Sequence, residues 1–368
     1  IHPGARAPSE PPVPSPQVSI SSMLSSLHPL KKWSLRESRG GSILGLKPIL
    51  IVSSVSLGLS LSLSLVVESI YLMAFLRVLY GIFCGLLVIM GESWVCARGS
   101  EKSRGSFVGL YAGLFTGCQL LGPFLIYLFG YESISPTVMI CAFIFILSVM
   151  ILFSRYDEID FSRGKGSSLL PLILSVPFLV YSVFIFASFD GVVLAMFPAY
   201  GVHNGYSVEV AALIITVVFL GDAVTQPLIG WASDRVGHAR MHFMCCTVFL
   251  ISIVLVYLSV GTKGFWFILF ILGASGGGIY TLALVRAGDK FNGVSLVAIN
   301  SVFSFVWGVG SFSGPIAAGF SVDVYGANGL VYFLIGMGMT VVFFNCLSLT
   351  RKAGRWRVSI NKQGAPRA

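Results

Sequence analysis

Runs of apolar residues too long for an ordinary soluble core recur along most of this chain. They fall at about 48–67, 70–95, 106–127, 134–153, 170–199, 208–232, 240–260, 264–286, 293–320 and 328–349. In a helix, about 20 such residues span a hydrocarbon core of ~30 Å. Backbone N–H and C=O groups cannot stay unpaired in lipid, so each run is expected as a helix that satisfies its own backbone. A transmembrane β-barrel is excluded, because its strands are short and alternate apolar with polar side chains. The predicted fold class is therefore all-α, a multi-pass membrane helical bundle of about ten transmembrane helices. Apolar residues make up 55% of the chain and charged residues 11%, against about 25% charged in globular domains. Mean hydropathy is +0.88.

The positive charges orient these helices. Arg36, Arg39 and Lys47 fall on one side, followed by Arg98, Lys102 and Arg104, then Arg155, Arg163 and Lys165. The same side receives Arg235, Arg240, Arg286 and Lys290, and then Arg351, Lys352, Arg355 and Arg357. The opposite connections hold only Lys263. By the positive-inside rule the basic side is cytoplasmic, which predicts a cytoplasmic C-terminus and residence in a plasma membrane, the inner membrane of a bacterium. The net charge of +9 then belongs beside anionic lipid head groups. A nucleic-acid-binding domain would not alternate its charge with the apolar runs. The seven cysteines sit within or at the edge of apolar runs without metal-ligand spacing, and read as small buried apolar residues. No metal and no cofactor is expected.

Residues 1–46 are of another kind. APSEPPVPSPQ cannot bury a core and reads as disordered. The polar segment YDEIDFSRGKGSS, within 154–169, is the longest connection between two runs and divides four earlier spans (47–153) from six later ones (170–350), with a basic tail at 351–368. An internal repeat agrees with this division. LYAGLFTGCQLLGPF ends in Gly122-Pro123 and VFSFVWGVGSFSGPI ends in Gly314-Pro315, each after a basic connection. Parallel repeats about an axis along the membrane normal are one way transporters are built.

Between the sixth and seventh runs stands GWASDRVGHAR, residues 230–240. Gly230 lets a neighbouring helix approach closely. Asp234 and Arg235 come where the apolar run stops, where a carboxylate can pair locally or face the positive N-terminus of another helix. Gly237 suits a turn with φ > 0, and His238 and Arg240 add positive charge. This pattern resembles the cytoplasmic loop signature of the major facilitator superfamily, a glycine four before Asp-Arg and then x-Gly with basic residues. ESW at 92–94 is similar to a bacterial branch of that superfamily. The resemblance runs from about residue 47 to residue 350 and aligns the four early spans with the family's helices three to six. It implies two bundles that rock to expose a central site alternately. It also implies that the family's first two helices, with the first copy of the loop, are missing from the chain as given.

Charged residues inside spans are costly and mark candidate pathways. Arg77 shares a helix face with Gly81 and Gly85 and resembles the family's fourth-helix R-x-x-x-G, with Phe83 where a small residue is expected. It either lines the cavity or snorkels outward. Asp190 lies at a similar depth and either reaches Arg77 across the bundles or is satisfied locally. Asp222, with Gln226 a turn away, is a mid-membrane carboxylate that either carries a proton or holds a neighbouring helix. Glu92 is expected to pair with Arg98 or another base. Tyr280 follows GASGGG, glycines that either soften the helix for bending or pack it tightly. Gly109, Gly113 and Gly117 form a packing stripe. The family's antiporter signature G-x-x-x-G-P is interrupted by Cys118 in the first repeat and kept at Gly310, Gly314 and Pro315 in the second.

These readings predict a secondary transporter of a small solute, proton-coupled in one form, working as a monomer among membrane lipids. Nothing resembles an ATP-binding loop. An intramembrane enzyme is disfavoured, because His203, His238 and His242 stand in loops or at span edges. The alternative within the family is a membrane-inserted but transport-incompetent fragment of such a transporter, its six later spans well packed.

Overall fold

The computed structural model describes residues 46–100, 102–120, 135–153 and 169–363. The Pro/Ser-rich segment, the polar connection at 154–168 and Gly122-Pro123 lie outside the described residues. Among the described residues there are eleven helices and no strand. They are α1 (Leu46–Leu63), α2 (Ile70–Arg98), α3 (Arg104–Gln119), α4 (Ser135–Phe153), α5 (Leu169–Ser175) and α6 (Pro177–His203). The rest are α7 (Val208–Val236), α8 (His238–Ser259), α9 (Gly264–Lys290), α10 (Val294–Tyr325) and α11 (Asn328–Gln363). Every predicted apolar run holds a helix. Seven of the described helices (α2 and α6 to α11) are long and apolar enough to cross a bilayer.

Two boundaries differ from the sequence reading, each for a local reason. The run at 170–199 is broken between α5 and α6 at Val176, whose φ of −138° and ψ of 46° precede Pro177 at the start of α6. Proline restricts the residue before it and suits the first helical turn, where its missing N–H costs nothing. In α11 the helix runs past the apolar stretch to Gln363. Elsewhere the turns follow residue chemistry. Ser207 accepts a hydrogen bond from the backbone N–H of Val210 and so caps α7. Gly237, at φ 100°, is the single residue between α7 and α8, a conformation that a Cβ would strain.

Arg98, Arg104, Arg235, Arg240, Arg286 and Lys290 stand where α2, α3, α7, α8 and α9 begin or end on one side, here the basic end. α1 packs on α2 and α4, whereas α3 packs chiefly along α7 and also touches α9. α6 lies against α10, and α9 against α7 and α8. The main buried cluster draws almost wholly on α6 to α11 and includes Phe249, Phe265, Leu269, Leu282 and Phe303. Burial is uneven between helices: 78% of the apolar window of α9 is buried, against 6% for α2.

The α3–α7 contact is a glycine seam. A Cβ at Gly105 would meet Gly230 and Ser233, one at Gly109 would meet the Gln226 carbonyl, and one at Gly113 would come within 2.7 Å of the Ala223 carbonyl. Gly230 in turn faces the carbonyl of Gly105. The stripe is displaced one turn from the sequence expectation. Gly105 belongs to it, and among the described residues a Cβ at Gly117 meets nothing within 4 Å.

Candidate functional site

The glycine seam brings the N-terminus of α3 under the end of α7, and there the earlier helices, α1 to α4, are joined to the later ones, α5 to α11; these two sets are called the two halves below. Asp234 accepts hydrogen bonds from the backbone N–H of Gly105 (2.7 Å), the backbone N–H of Ser106 (2.8 Å) and the Ser106 hydroxyl (2.6 Å). A carboxylate at the first turn takes up orphan N–H groups and meets the positive end of the helix dipole. Arg104, buried, donates to Asp289 of α9 at 2.5 Å and to the Cys96 carbonyl at 3.1 Å. His238 lies between the two carboxylates, with Nδ1 2.6 Å from Asp289 and Nε2 3.2 Å from Asp234. When protonated the ring donates at both nitrogens, and the cluster then alternates two carboxylates with two cations and a helix N-terminus. Two more contacts cross between the halves just inside it: Tyr280 donates to Glu92, and Asn300 donates to Ser93 at 2.9 Å.

Beyond these contacts, away from the basic end, lies a cavity of about 650 Å³ between the halves, a size suited to a small-molecule ligand. Tyr80, Gly81, Cys84, Gly85, Val88 and Glu92 give it one wall from a single face of α2. The other walls come from α3, α6, α7, α9 and α10. Among the described residues its charged lining residues are Glu92, Asp190 and Asp222, with no Lys, Arg or His. Phe186, Tyr280 and Trp307 form an aromatic corner with ring centroids 4.9 to 5.6 Å apart.

The residues singled out from sequence take different places. Asp222 is buried and held by Gln226 (2.5 Å) and by Thr116 of the other half (3.1 Å). Gly277 makes room for it: a Cβ there would collide with the Asp222 carboxylate. The neighbours of Gly277 are spent on packing too, Gly273 against Val218 and Gly276 against Phe189. Asp190 lines the cavity and, among the described residues, makes neither a hydrogen bond nor an ion pair. Glu92 turns to Tyr280 and away from Arg98, which lies over Trp94. Six residues separate Glu92 from Arg98, so a helix carries them on different faces. Arg77 is exposed, lies outside the cavity lining and makes no ion pair with Asp190. Within the loop motif, Arg235 stacks on Trp231 at 3.4 Å and Arg240 is exposed. Arg104, Ser106 and Asp289 escaped the sequence reading, as did Thr116 and Trp307. The contacts of Arg104 with Asp289, Ser106 with Asp234 and Thr116 with Asp222 each join residues more than 100 positions apart, and only the repeat offered a signal, by setting Arg104 and Asp289 in equivalent basic connections.

Cavity and fastened end sit between two sets of helices, the plan expected of one transporter family. The family model described as Major Facilitator Superfamily matches residues 40–209 and 179–366. The chain belongs to that superfamily. Among curated superfamily proteins, an uncharacterized MFS-type transporter of Bacillus subtilis, YfkF, is 25% identical over 306 residues, covering 79% of this chain and 76% of its own. Another from Enterobacter sp. is 25% identical over 284 residues, covering 76% and 72%. Among solved superfamily structures, FucP in its outward conformation has a TM-score of 0.66 at 14% identity, covering 82% of each chain. The human organic anion transporter MFSD10 has a TM-score of 0.67 at 13% identity, covering 82% of this chain and 77% of its own. These structural likenesses concern the fold.

Proposed function

We propose that the chain is a secondary active transporter that moves a small solute across the membrane by alternating access. The observation that carries this reading is the cavity between two halves fastened at the basic end by a cluster of polar contacts, a glycine seam and a few apolar side chains such as Val108 and Met90. Polar contacts of this kind exchange with water at small net cost, so the same halves can part there and close at the opposite end. With the basic end cytoplasmic, as the distribution of Lys and Arg supports, the arrangement is outward-facing.

Proton coupling is assigned to Asp222. Its carboxylate joins Thr116 of one half to Gln226 of the other, so gain or loss of a proton alters a contact that the rocking motion must break. A gradient-driven chain needs such a group, and buried carboxylates serve as proton relays in membranes. The structural neighbours include a fucose:proton symporter, an organic anion transporter and a homologue of an iron transporter. The fold alone therefore selects no solute.

The test is counterflow uptake in vesicles across sugars, amino acids and cationic drugs, with and without a pH gradient. Saturable uptake that responds to the gradient in the parent and not in Asp222→Asn is expected. Gradient response kept by Asp222→Asn refutes the assignment to Asp222. A second reading is favoured by the thin cover of α2, 6% buried over its apolar window. On it, the chain as given folds and binds solute but turns over only when a further element covers α2. Saturable uptake by the purified monomer rejects that reading.

A further inference from the structure

The cavity has a chemical polarity that narrows its occupant. We propose that it takes organic cations with an aromatic or otherwise apolar body, the positive charge facing Asp190 and Glu92 and the body lying against Phe186, Tyr280 and Trp307. This rests on the reading of the cavity as the transport site and names its substrate class.

Three observations converge on it. First, among the described residues the charged ones of the lining are all carboxylates, Glu92, Asp190 and Asp222. An anionic solute would enter without a counter-charge in a medium where that is expensive. Second, the three carboxylates are not equally engaged. Asp222 has partners on both oxygens, whereas Asp190 has none and Glu92 spends one oxygen on Tyr280 and leaves Oε2 buried without a partner. Thr281, 1% exposed, and Ser304 also line the cavity with hydroxyls that have no hydrogen-bond partner. Buried polar atoms are normally paired, and unpaired ones along a ligand-sized cavity fit a missing polar guest. Third, an aromatic corner joins the two available carboxylates. Phe186 is one helical turn before Asp190, so the two share a face of α6, and Phe186 stacks on Tyr280, which holds Glu92. Trp307 closes the corner at 4.9 Å from Tyr280 and 5.2 Å from Phe186. Aromatic faces attract cations, and groups of them recognise quaternary ammonium ligands. Neutral polar solutes such as sugars would leave this corner poorly used.

The experiment reads binding, so it stands apart from transport. The purified full chain in lipid nanodiscs is titrated with radiolabelled tetraphenylphosphonium, with triphenylphosphine oxide and tetraphenylborate as neutral and anionic competitors of similar shape. Saturable cation binding is expected, with each competitor at least about 10-fold weaker. Asp190→Asn should weaken cation binding about 10-fold or more and leave the neutral compound unchanged. Glu92→Gln should do the same if Asp190→Asn fails to give monodisperse protein, and Trp307→Ala should weaken both cation and neutral compound. Equal affinity for all three charges, undiminished cation binding in both carboxamide variants, or no cation binding by a chain that shows counterflow of another solute would overturn the substrate class. Cation binding without counterflow would leave the class standing and count against the transport reading.

Discussion

Replacing Asp234 by Asn tests the fastening of the basic end with almost no change in volume. The native carboxylate accepts from two backbone N–H groups and one hydroxyl at the start of α3 and lies 3.2 Å from His238. The amide keeps one acceptor oxygen and turns an NH₂ toward a backbone that can only donate. The loss comprises the charge in hydrogen bonds worth about 1.5–3 kcal/mol each when charged and a helix-terminus interaction of about 0.3–2 kcal/mol. Water at the membrane surface and remaining contacts refund part of this, which leaves about 2 kcal/mol. That figure changes the ratio of closed to open basic end by about 30-fold, at 1.36 kcal/mol per decade. All of it falls on the state in which α3 and α7 meet there, so the equilibrium shifts while each half stays folded. Spin labels attached by bio-orthogonal chemistry at Lys102 and Arg240, exposed positions on opposite sides of the seam, report the separation by pulsed electron resonance. A longer-distance population should grow in Asp234→Asn. An unchanged distance distribution in well-folded variant protein would refute the reasoning.

Gly113→Leu should lower the melting temperature of the detergent-solubilised protein by an amount equivalent to about 1–3 kcal/mol, since its Cβ would press on Ala223 and Pro227. Gly117→Ala should stay within about 0.5 kcal/mol, because nothing lies within 4 Å of that position. Equal melting temperatures for both would remove the seam as a close contact. Gly277→Ala should reproduce the loss of gradient response expected of Asp222→Asn, because its methyl displaces the Asp222 carboxylate. Normal pH-driven uptake in that variant would separate the glycine from the coupling site. A cysteine at Lys263 should react with an impermeant thiol reagent from outside intact cells above the parent background, and one at Arg240 should react only after the membrane is opened. Labelling of Arg240 from outside would invert the orientation.

What the sequence made legible were quantities carried by single segments. Apolar length located every helix, because in lipid a long apolar run has no other way to satisfy its backbone. Gly237 announced its turn through its own backbone freedom, at φ 100°. Asp234 was readable as a helix-end carboxylate because the apolar run visibly stops there. Its partner was not, since Gly105 and Ser106 are 129 and 128 positions away. The same holds for Glu92, whose neighbours in sequence offered Arg98 while its partner Tyr280 stands 188 positions on. From sequence Arg77 either lines the cavity or snorkels outward, and the choice stays open because it depends on which way the face of α2 turns. In the structure Arg77 is exposed and outside the cavity lining.

The seam also explains why the fastening and the cavity belong to one device. α3 carries Gly105 and Ser106 under Asp234, Gly109 and Gly113 against α7, and then Thr116 on Asp222. These positions recur at three or four residues, so they share one face of a helix. α7 answers with Asp234, Gly230, Gln226 and Asp222 at the same spacing. With glycine at each crossing the two backbones touch, and no long side chain stands between them to absorb a displacement. On the proposed assignment of proton coupling to Asp222, a shift of α3 at the basic end would be passed along the pair to that carboxylate, and a change of its proton would be passed back. Small residues along the seam would then make the site and the fastened end move together, as the proposed alternating access requires.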